Sequence, residues 1–103
     1  MTQQATKLVI LTEKVLMKEI LKMVEDAGGV GFVVMPITGK DARSARASGT
    51  GISDTFNNVK IEVITATPEL AKQISDDVAA KYFKHYSGIT YREPVEVLHS
   101  HNF

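Results

Sequence analysis

The same order of secondary-structure signals occurs twice along this chain of 103 residues. An aliphatic run, a helical pattern and a second apolar run follow one another in residues 7–37, and a similar succession occupies residues 59–98. A strand, helix, strand unit that is repeated in so short a chain predicts a four-stranded sheet with two helices. We therefore expect a single α+β domain over residues 1–103, since a chain of this length supports one hydrophobic core.

The first helix is predicted from its periodicity and from its flanking residues. Residues 7–11 form a β-branched and aliphatic strand, and Thr12 stands where an N-cap opens a helix over residues 13–27. The Gly28-Gly29 pair ends this helix, because glycine readily takes the positive φ of a helix C-terminus. Apolar residues recur on one face of the helix at spacings of three and four, at Leu16, Ile20, Met23, Val24 and Ala27.

The second half of the chain has clearer signals for where its elements begin and end. Residues 31–37 and 59–65 are predicted as the second and third strands. Thr67 and Pro68 then mark the N-cap and the first residue of the second helix, which we expect to reach about Tyr86. The apolar stripe of this helix consists of Leu70, Ile74, Val78 and Tyr82.

The last strand is predicted over residues 90–98 and contains Pro94. Proline has no backbone N–H to donate to a neighbouring strand, so this strand belongs at an edge of the sheet or carries a bulge. Two strand, helix, strand halves of this kind predict a ferredoxin-like βαββαβ sandwich with both helices on one face of the sheet.

Both faces of the predicted strands carry apolar side chains. The residues that point to opposite faces are Leu8 and Ile10 against Val9 and Leu11, and Phe32 and Val34 against Val33 and Met35. The chain has no further element with which to cover the second face. We therefore expect the protein to associate with copies of itself.

A long connection, residues 38–58, separates the second strand from the third. Connections in compact domains usually have about 4–6 residues, and longer ones are generally functional or disordered. Lys40, Arg43 and Arg46 recur every third residue, so one helical turn would place them on one face. Guanidinium groups match phosphate oxygens in a bidentate manner, which favours a di- or triphosphate ligand. The spacing alone favours a solvated basic loop tip over a phosphate site.

Composition excludes several classes of function. Twelve Lys and Arg residues balance twelve Asp and Glu residues, so the net charge does not favour nucleic acid or an anionic membrane. The chain has no cysteine, which excludes disulfides and thiolate metal sites. His99 and His101 lack a recognisable third ligand, so we expect no metal site. The sequence shows no signal peptide and no apolar run of membrane-spanning length, and we expect a cytoplasmic protein.

Two motifs give the chain a specific resemblance. The first is GKDARSARASG at residues 39–49, and the second is KYFKHYSGI at residues 81–89. Together with the segment KLVILTEKVLMKEILKMVEDAGGVGFVVM, they resemble PII-like signalling proteins of the inorganic-carbon type, which are the SbtB-like and carboxysome-associated PII-like proteins.

The resemblance implies a homotrimer that binds nucleotides in three clefts between neighbouring subunits. Residues 38–58 would be the T-loop of such a protein, and the turn with Gly88 and Ile89 would be its B-loop. Adenine would lie against Val33 and Ile64. The phosphates would be bound by Lys40, Arg43 and Arg46.

The resemblance also implies a non-enzymatic function. Such a protein binds AMP, ADP, ATP or cyclic AMP as regulatory ligands, with bicarbonate as a further ligand, and needs no cofactor. Its partner would be a bicarbonate transporter or another carbon-uptake protein, which would bring it to the membrane only indirectly. The chain departs from the wider PII pattern because its B-loop is poor in glycine and lysine, so we expect weak dependence on a full triphosphate.

Two other functions remain open from the residues alone. A slow nucleotide phosphohydrolase could act at the same cleft, with Asp41 and Asp54 as the obvious carboxylates of the long connection. An amino-acid-binding regulatory module of the same sandwich class would not need the basic residues of that connection.

Overall fold

The structure is a computed structural model that describes residues 2–37 and 57–98. Most of the predicted T-loop lies outside the described residues, including Lys40, Arg43 and Arg46. The pair formed by His99 and His101 lies outside them as well.

The described residues form a four-stranded antiparallel sheet in the order β2-β3-β1-β4, with two helices. This is the strand order of a ferredoxin-like sandwich and confirms the predicted βαββαβ architecture. The elements are β1 (Gln3–Glu13), α1 (Met17–Asp26), β2 (Val30–Ile37), β3 (Asn58–Thr65), α2 (Pro68–Tyr82) and β4 (Gly88–Val97), and a 3₁₀ turn (Lys14–Leu16) joins β1 to α1.

The hydrophobic core lies between the helices and one face of the sheet. The strands contribute Leu8 and Ile10 from β1 and Ile61 and Val63 from β3, all of them fully buried. These four residues share one face, because Leu8 pairs with Val63 and Ile10 pairs with Ile61 in the antiparallel register. The helices supply the apolar stripes that the periodicity predicts, and their buried residues in the cluster are Ile20, Val24, Ala71, Ile74, Val78 and Tyr82.

The predicted start of the first helix is wrong. β1 continues to Glu13, because its residues through Thr12 pair with both β3 and β4. The Thr12 hydroxyl does not cap a helix, since it donates a hydrogen bond to the backbone oxygen of Ser87 at 2.9 Å. The α-helix therefore begins only at Met17, after the 3₁₀ turn.

The end of α1 follows from two different properties of glycine. Gly28 has a φ of 96°, which L side chains rarely adopt, as the sequence predicts for this helix end. Gly29 is needed for a different reason, because a Cβ at this position would stand 2.7 Å from a methyl carbon of Val24 and 3.0 Å from one of Val63. The turn is therefore packed directly onto the core.

The second helix begins as predicted and ends earlier than predicted. Thr67 caps α2 by accepting a hydrogen bond from the Leu70 amide at 3.1 Å, and Pro68 occupies the first turn. The helix ends at Tyr82 and not near Tyr86, because the chain must reverse direction to enter β4, which already begins at Gly88.

The turn between α2 and β4 is packed around an aromatic ring. A Cβ added to Gly88 would overlap ring carbons of Phe83, which itself packs against the core cluster. Gly88 does not have a positive φ, so close approach of the ring explains this glycine better than backbone freedom. β4 pairs with β1 alone in the described sheet, and Pro94 therefore lies in an edge strand as predicted.

The face of the sheet opposite the helices is called the open face here. It contains Val9, which is fully buried between the in-register residues Glu62 and Tyr91. The prediction of a second apolar face is confirmed, but two ion pairs also lie on this face. They join Lys7 to Glu93 at 3.0 Å and Lys60 to Glu62 at 3.3 Å, while the exposed apolar residues of the face are Val33, Met35, Ile89 and Tyr91.

A partly buried hydrogen bond connects the two helices. The Tyr82 hydroxyl near the end of α2 donates to the Glu19 carboxylate of α1 at 2.9 Å. Burial raises the pKa of Tyr82 above its ordinary value of 10.0, and the hydrogen bond and charge of Glu19 raise it further.

We expect Gly88→Ala to destabilise the protein by about 1–3 kcal/mol, because the new methyl group would overlap the Phe83 ring. The cost should be smaller in a Phe83→Ala background, where the ring is absent. Urea unfolding at a fixed protein concentration measures both values. An equal cost in the two backgrounds would contradict this account of Gly88.

The raised pKa of Tyr82 predicts a pH effect above pH 10. The unfolded chain loses the tyrosine proton near pH 10, whereas the folded protein retains it to higher pH. The stabilisation is thus complete below pH 10 and is lost as the pH rises through the raised pKa. An ultraviolet absorbance titration should contain a late tyrosinate step that disappears in Tyr82→Phe and persists in Tyr86→Phe. A late step that survives in Tyr82→Phe would show that another residue causes it.

Candidate functional site

The two residues predicted to contact adenine lie together on the open face. Val33 of β2 pairs with Glu62, and Ile64 is two residues beyond Glu62 in β3, so Val33 and Ile64 are diagonal neighbours on one face. The Val33 side chain is 54% exposed, and Ile64 is half-buried. This edge of the sheet therefore offers an accessible apolar surface that a flat ring could contact.

The two residues predicted for the B-loop lie at the other edge of the sheet. Gly88 and Ile89 begin β4, where they pair with Thr12 and Leu11 of β1. The Ile89 side chain is 57% exposed on the open face.

One chain does not bring these two sets of residues together. Ile64 pairs with Lys7 and Ile89 pairs with Leu11, so the two rows are offset by four positions along β1. This corresponds to about 14 Å along the strand and about 10 Å across two strand spacings. A ligand that touched both sets in a single chain would have to cross β1.

The base of the long connection lies close to the B-loop turn. The connection leaves the sheet after Ile37 and returns at Asn58, and these two residues pair with each other. Asn58 also pairs with Glu13 at the end of β1. The fold therefore places both ends of the basic segment at the same end of the sheet as Gly88.

Three consecutive residues, the last two of β1 and the first residue after it, connect these features. The amide of Ser87 donates to the carboxylate oxygen Oε2 of Glu13 at 2.7 Å, and the carbonyl of Ser87 accepts from the Thr12 hydroxyl at 2.9 Å. The next amide, that of Lys14, donates to the carbonyl of Asn57 at 2.7 Å. The segment from Thr12 to Lys14 is thus bonded both to the B-loop turn and to the base of the long connection.

The sequence does not reveal the roles of Glu13 and Thr12. Its pattern predicts both residues at the start of a helix, and no motif marks a carboxylate that bonds to a turn 74 residues away. Such a contact could be predicted only after β1 is known to extend beside β4.

Glu62 is a carboxylate on the open face that has a local partner. Its carboxylate pairs with Lys60 on the same strand, at a site that is partly shielded from solvent. Lys7 nearby has a raised pKa, chiefly because of its hydrogen bond to Glu93 and then of the charge of Glu93. In residues 2–37 and 57–98, no three His, Cys, Asp or Glu side chains are grouped so that they could hold a metal ion.

No helix within residues 2–37 and 57–98 is long and apolar enough to span a bilayer.

Comparison with solved structures shows close agreement in fold. A PII-like signalling protein from Thermus thermophilus superposes with a TM-score of 0.74 at 25% sequence identity, over 94% of this chain and 91% of that chain. CPII from Thiomonas intermedia K12, a nitrogen regulatory PII-like protein bound to ADP, AMP and bicarbonate, superposes with a TM-score of 0.72 at 17% identity, over 94% and 98% of the two chains. The apo form of CPII gives a TM-score of 0.71 at 16% identity, over 94% and 95%.

Comparison of the sequence with protein families agrees with the comparison of folds. Residues 5–102 match the family described as nitrogen regulatory protein P-II. Because this match spans nearly the whole chain and the fold agrees over the same extent, the chain belongs to the nitrogen regulatory protein P-II family.

Proposed function

We propose that this chain is a PII-like signalling protein that binds adenine nucleotides in clefts between the subunits of a homotrimer. The observation that carries the proposal is the family membership together with the structural likeness to CPII, which was solved with ADP, AMP and bicarbonate. Bicarbonate is included as a second ligand on the ground of that likeness.

The separation of the predicted site residues supports a cleft between two copies. The apolar pair Val33 and Ile64 and the turn at Gly88 and Ile89 lie on opposite sides of β1, so one chain cannot easily offer both to one nucleotide. Two copies joined through the open face could place the apolar edge of one beside the turn of the other. The exposed apolar residues of that face favour such an association.

The proposed signal is a change in the long connection. Phosphate bound by Lys40, Arg43 and Arg46 would favour one conformation of residues 38–58, and a partner would recognise that conformation. The paired residues Ile37 and Asn58 hold the base of this segment beside the turn that begins β4, which supports a shared phosphate site. We propose a bicarbonate transporter or another carbon-uptake protein as the partner, which would recruit a cytoplasmic protein to the membrane.

The two other functions considered from the residues receive no separate support. Proteins of this family and of the PII-like type are signalling proteins and not enzymes, which argues against a phosphohydrolase. The likeness to CPII favours a nucleotide ligand over an amino acid.

We expect the protein to sediment at three times the mass of the chain at micromolar concentration without ligand. Met35→Glu should shift it toward the monomer, because a charge would be buried in the open-face contact. Gln73→Glu adds the same charge to the exposed surface of α2 and should leave the trimer intact. A wild-type protein that sediments as a monomer would rule out a site between subunits.

Replacement of Arg43 and Arg46 by glutamine should weaken ADP binding and largely spare adenosine. Each lost charge-assisted bond is worth about 1.5–3 kcal/mol, so the affinity for ADP should fall at least about tenfold per arginine. Calorimetry measures the affinities, and hydrogen exchange should show that the double variant loses ADP-dependent protection of residues 40–55.

The matched control for this experiment is Arg92→Gln, which removes an exposed cation from β4. It should leave the affinity for ADP unchanged. If the double variant binds ADP as tightly as the wild type does, the basic segment is a solvated loop tip and the signalling mechanism is wrong.

A further inference from the structure

The Ser87 amide is already bonded to an anion of the chain itself. Its N–H donates to the Glu13 carboxylate over 2.7 Å, a length typical of a charge-assisted hydrogen bond. The neighbouring Thr12 hydroxyl bonds to the carbonyl of the same residue and holds the turn in place. The contact shows that this turn can present an amide to a carboxylate, and a phosphate oxygen is an acceptor of the same kind.

The charge of Glu13 has little other compensation among the residues that the structure describes. Within residues 2–37 and 57–98, no lysine or arginine lies within ion-pair distance of its carboxylate. The bond is also partly buried, so water screens the charge less than it would at an open surface. A second anion placed at this turn would therefore be repelled as long as Glu13 remains there.

We propose that Glu13 is a built-in competitor for the phosphate of a nucleotide at the Ser87 amide. One N–H has one proton to donate, so a phosphate oxygen can use this donor fully only when the Glu13 carboxylate moves away. Glu13 then lowers the affinity for phosphorylated ligands and leaves the affinity for the nucleoside unaffected, which makes it a specificity-determining residue. The inference rests on the proposed function, because it takes the turn before β4 as the place where phosphate binds.

Displacement of the Glu13 carboxylate acts on the long connection through the backbone. Glu13 is followed by Lys14, whose amide donates to the carbonyl of Asn57 at 2.7 Å. Asn57 immediately precedes β3, where the connection between β2 and β3 returns to the sheet. Phosphate that releases Glu13 from Ser87 thus acts on a backbone segment that is bonded to the base of this connection.

The test compares Glu13→Gln with the wild type in calorimetric titrations with ADP and with adenosine. Glutamine keeps an oxygen that can accept from the Ser87 amide, so the turn is preserved while the charge is removed. The variant should bind ADP at least about fivefold more tightly, since hydrogen bonds to neutral acceptors are roughly half as strong as charge-assisted ones. Its affinity for adenosine should stay at the wild-type value.

Glu25→Gln is the matched control, because it removes one negative charge from the exposed surface of α1. It should bind ADP as the wild type does. If Glu13→Gln gains no more affinity for ADP than this control, Glu13 is not a competitor, although the proposed nucleotide site stands. An equal gain for ADP and adenosine would also overturn the inference, because it would indicate a change in the order of the turn. If ADP binds neither the wild type nor the variant, the proposed function and this inference both fail.

A measurement on the wild-type protein keeps the inference testable if the variant does not fold. The amide proton resonance of Ser87 should move when ADP is added and should not move with adenosine, because only ADP would exchange one acceptor for another. A Ser87 resonance that does not respond to saturating ADP would overturn the inference.

Discussion

The position of β1 between β3 and β4 is the constraint on which the rest of the structure depends. It pairs with β3 on one side and with β4 on the other, and its residues Leu8, Val9 and Ile10 are fully buried. Because the strand is held on both sides, it remains extended as far as Glu13 and displaces the start of the first helix to Met17. This extension places three polar contacts, made by Thr12, Glu13 and Lys14, at the end of the sheet. The turn before β4 and the base of the long connection lie at the same end.

Those contacts use groups that the proposed nucleotide site would also need. The turn before β4 needs Gly88 to admit the Phe83 ring, and it bonds the Ser87 amide to Glu13. Glycine-containing turns and free amides are also what a phosphate site needs. A phosphate bound at this turn would therefore meet an amide that already has an acceptor, and under our proposal its affinity depends on how readily the Glu13 carboxylate moves away.

The open face combines exposed apolar residues, which favour association between copies, with ion pairs, which favour contact with water. Val33 and Ile89 expose more than half of their side chains there, and the Lys7–Glu93 and Lys60–Glu62 pairs lie among them. Surface ion pairs contribute little to stability, commonly less than about 1 kcal/mol each. Their contribution to the free energy of a buried contact depends on both charges remaining paired, since an unpaired buried charge is far more destabilising. Paired charges in an apolar face are thus compatible with a specific contact between copies.

The sequence by itself determined the order of the elements, the α2 cap at Thr67, the edge position of the strand with Pro94 and the alternation of the two sheet faces. Each of these follows from local periodicity or from the backbone restrictions of a single residue. Only the tertiary structure decided that β1 runs on to Glu13, that Gly88 lies against an aromatic ring and that the residues predicted to contact adenine stand apart from those predicted for the B-loop. The physical reason is that these features arise from contacts between distant segments, such as the bond from Ser87 to Glu13 across 74 residues, which no local pattern encodes.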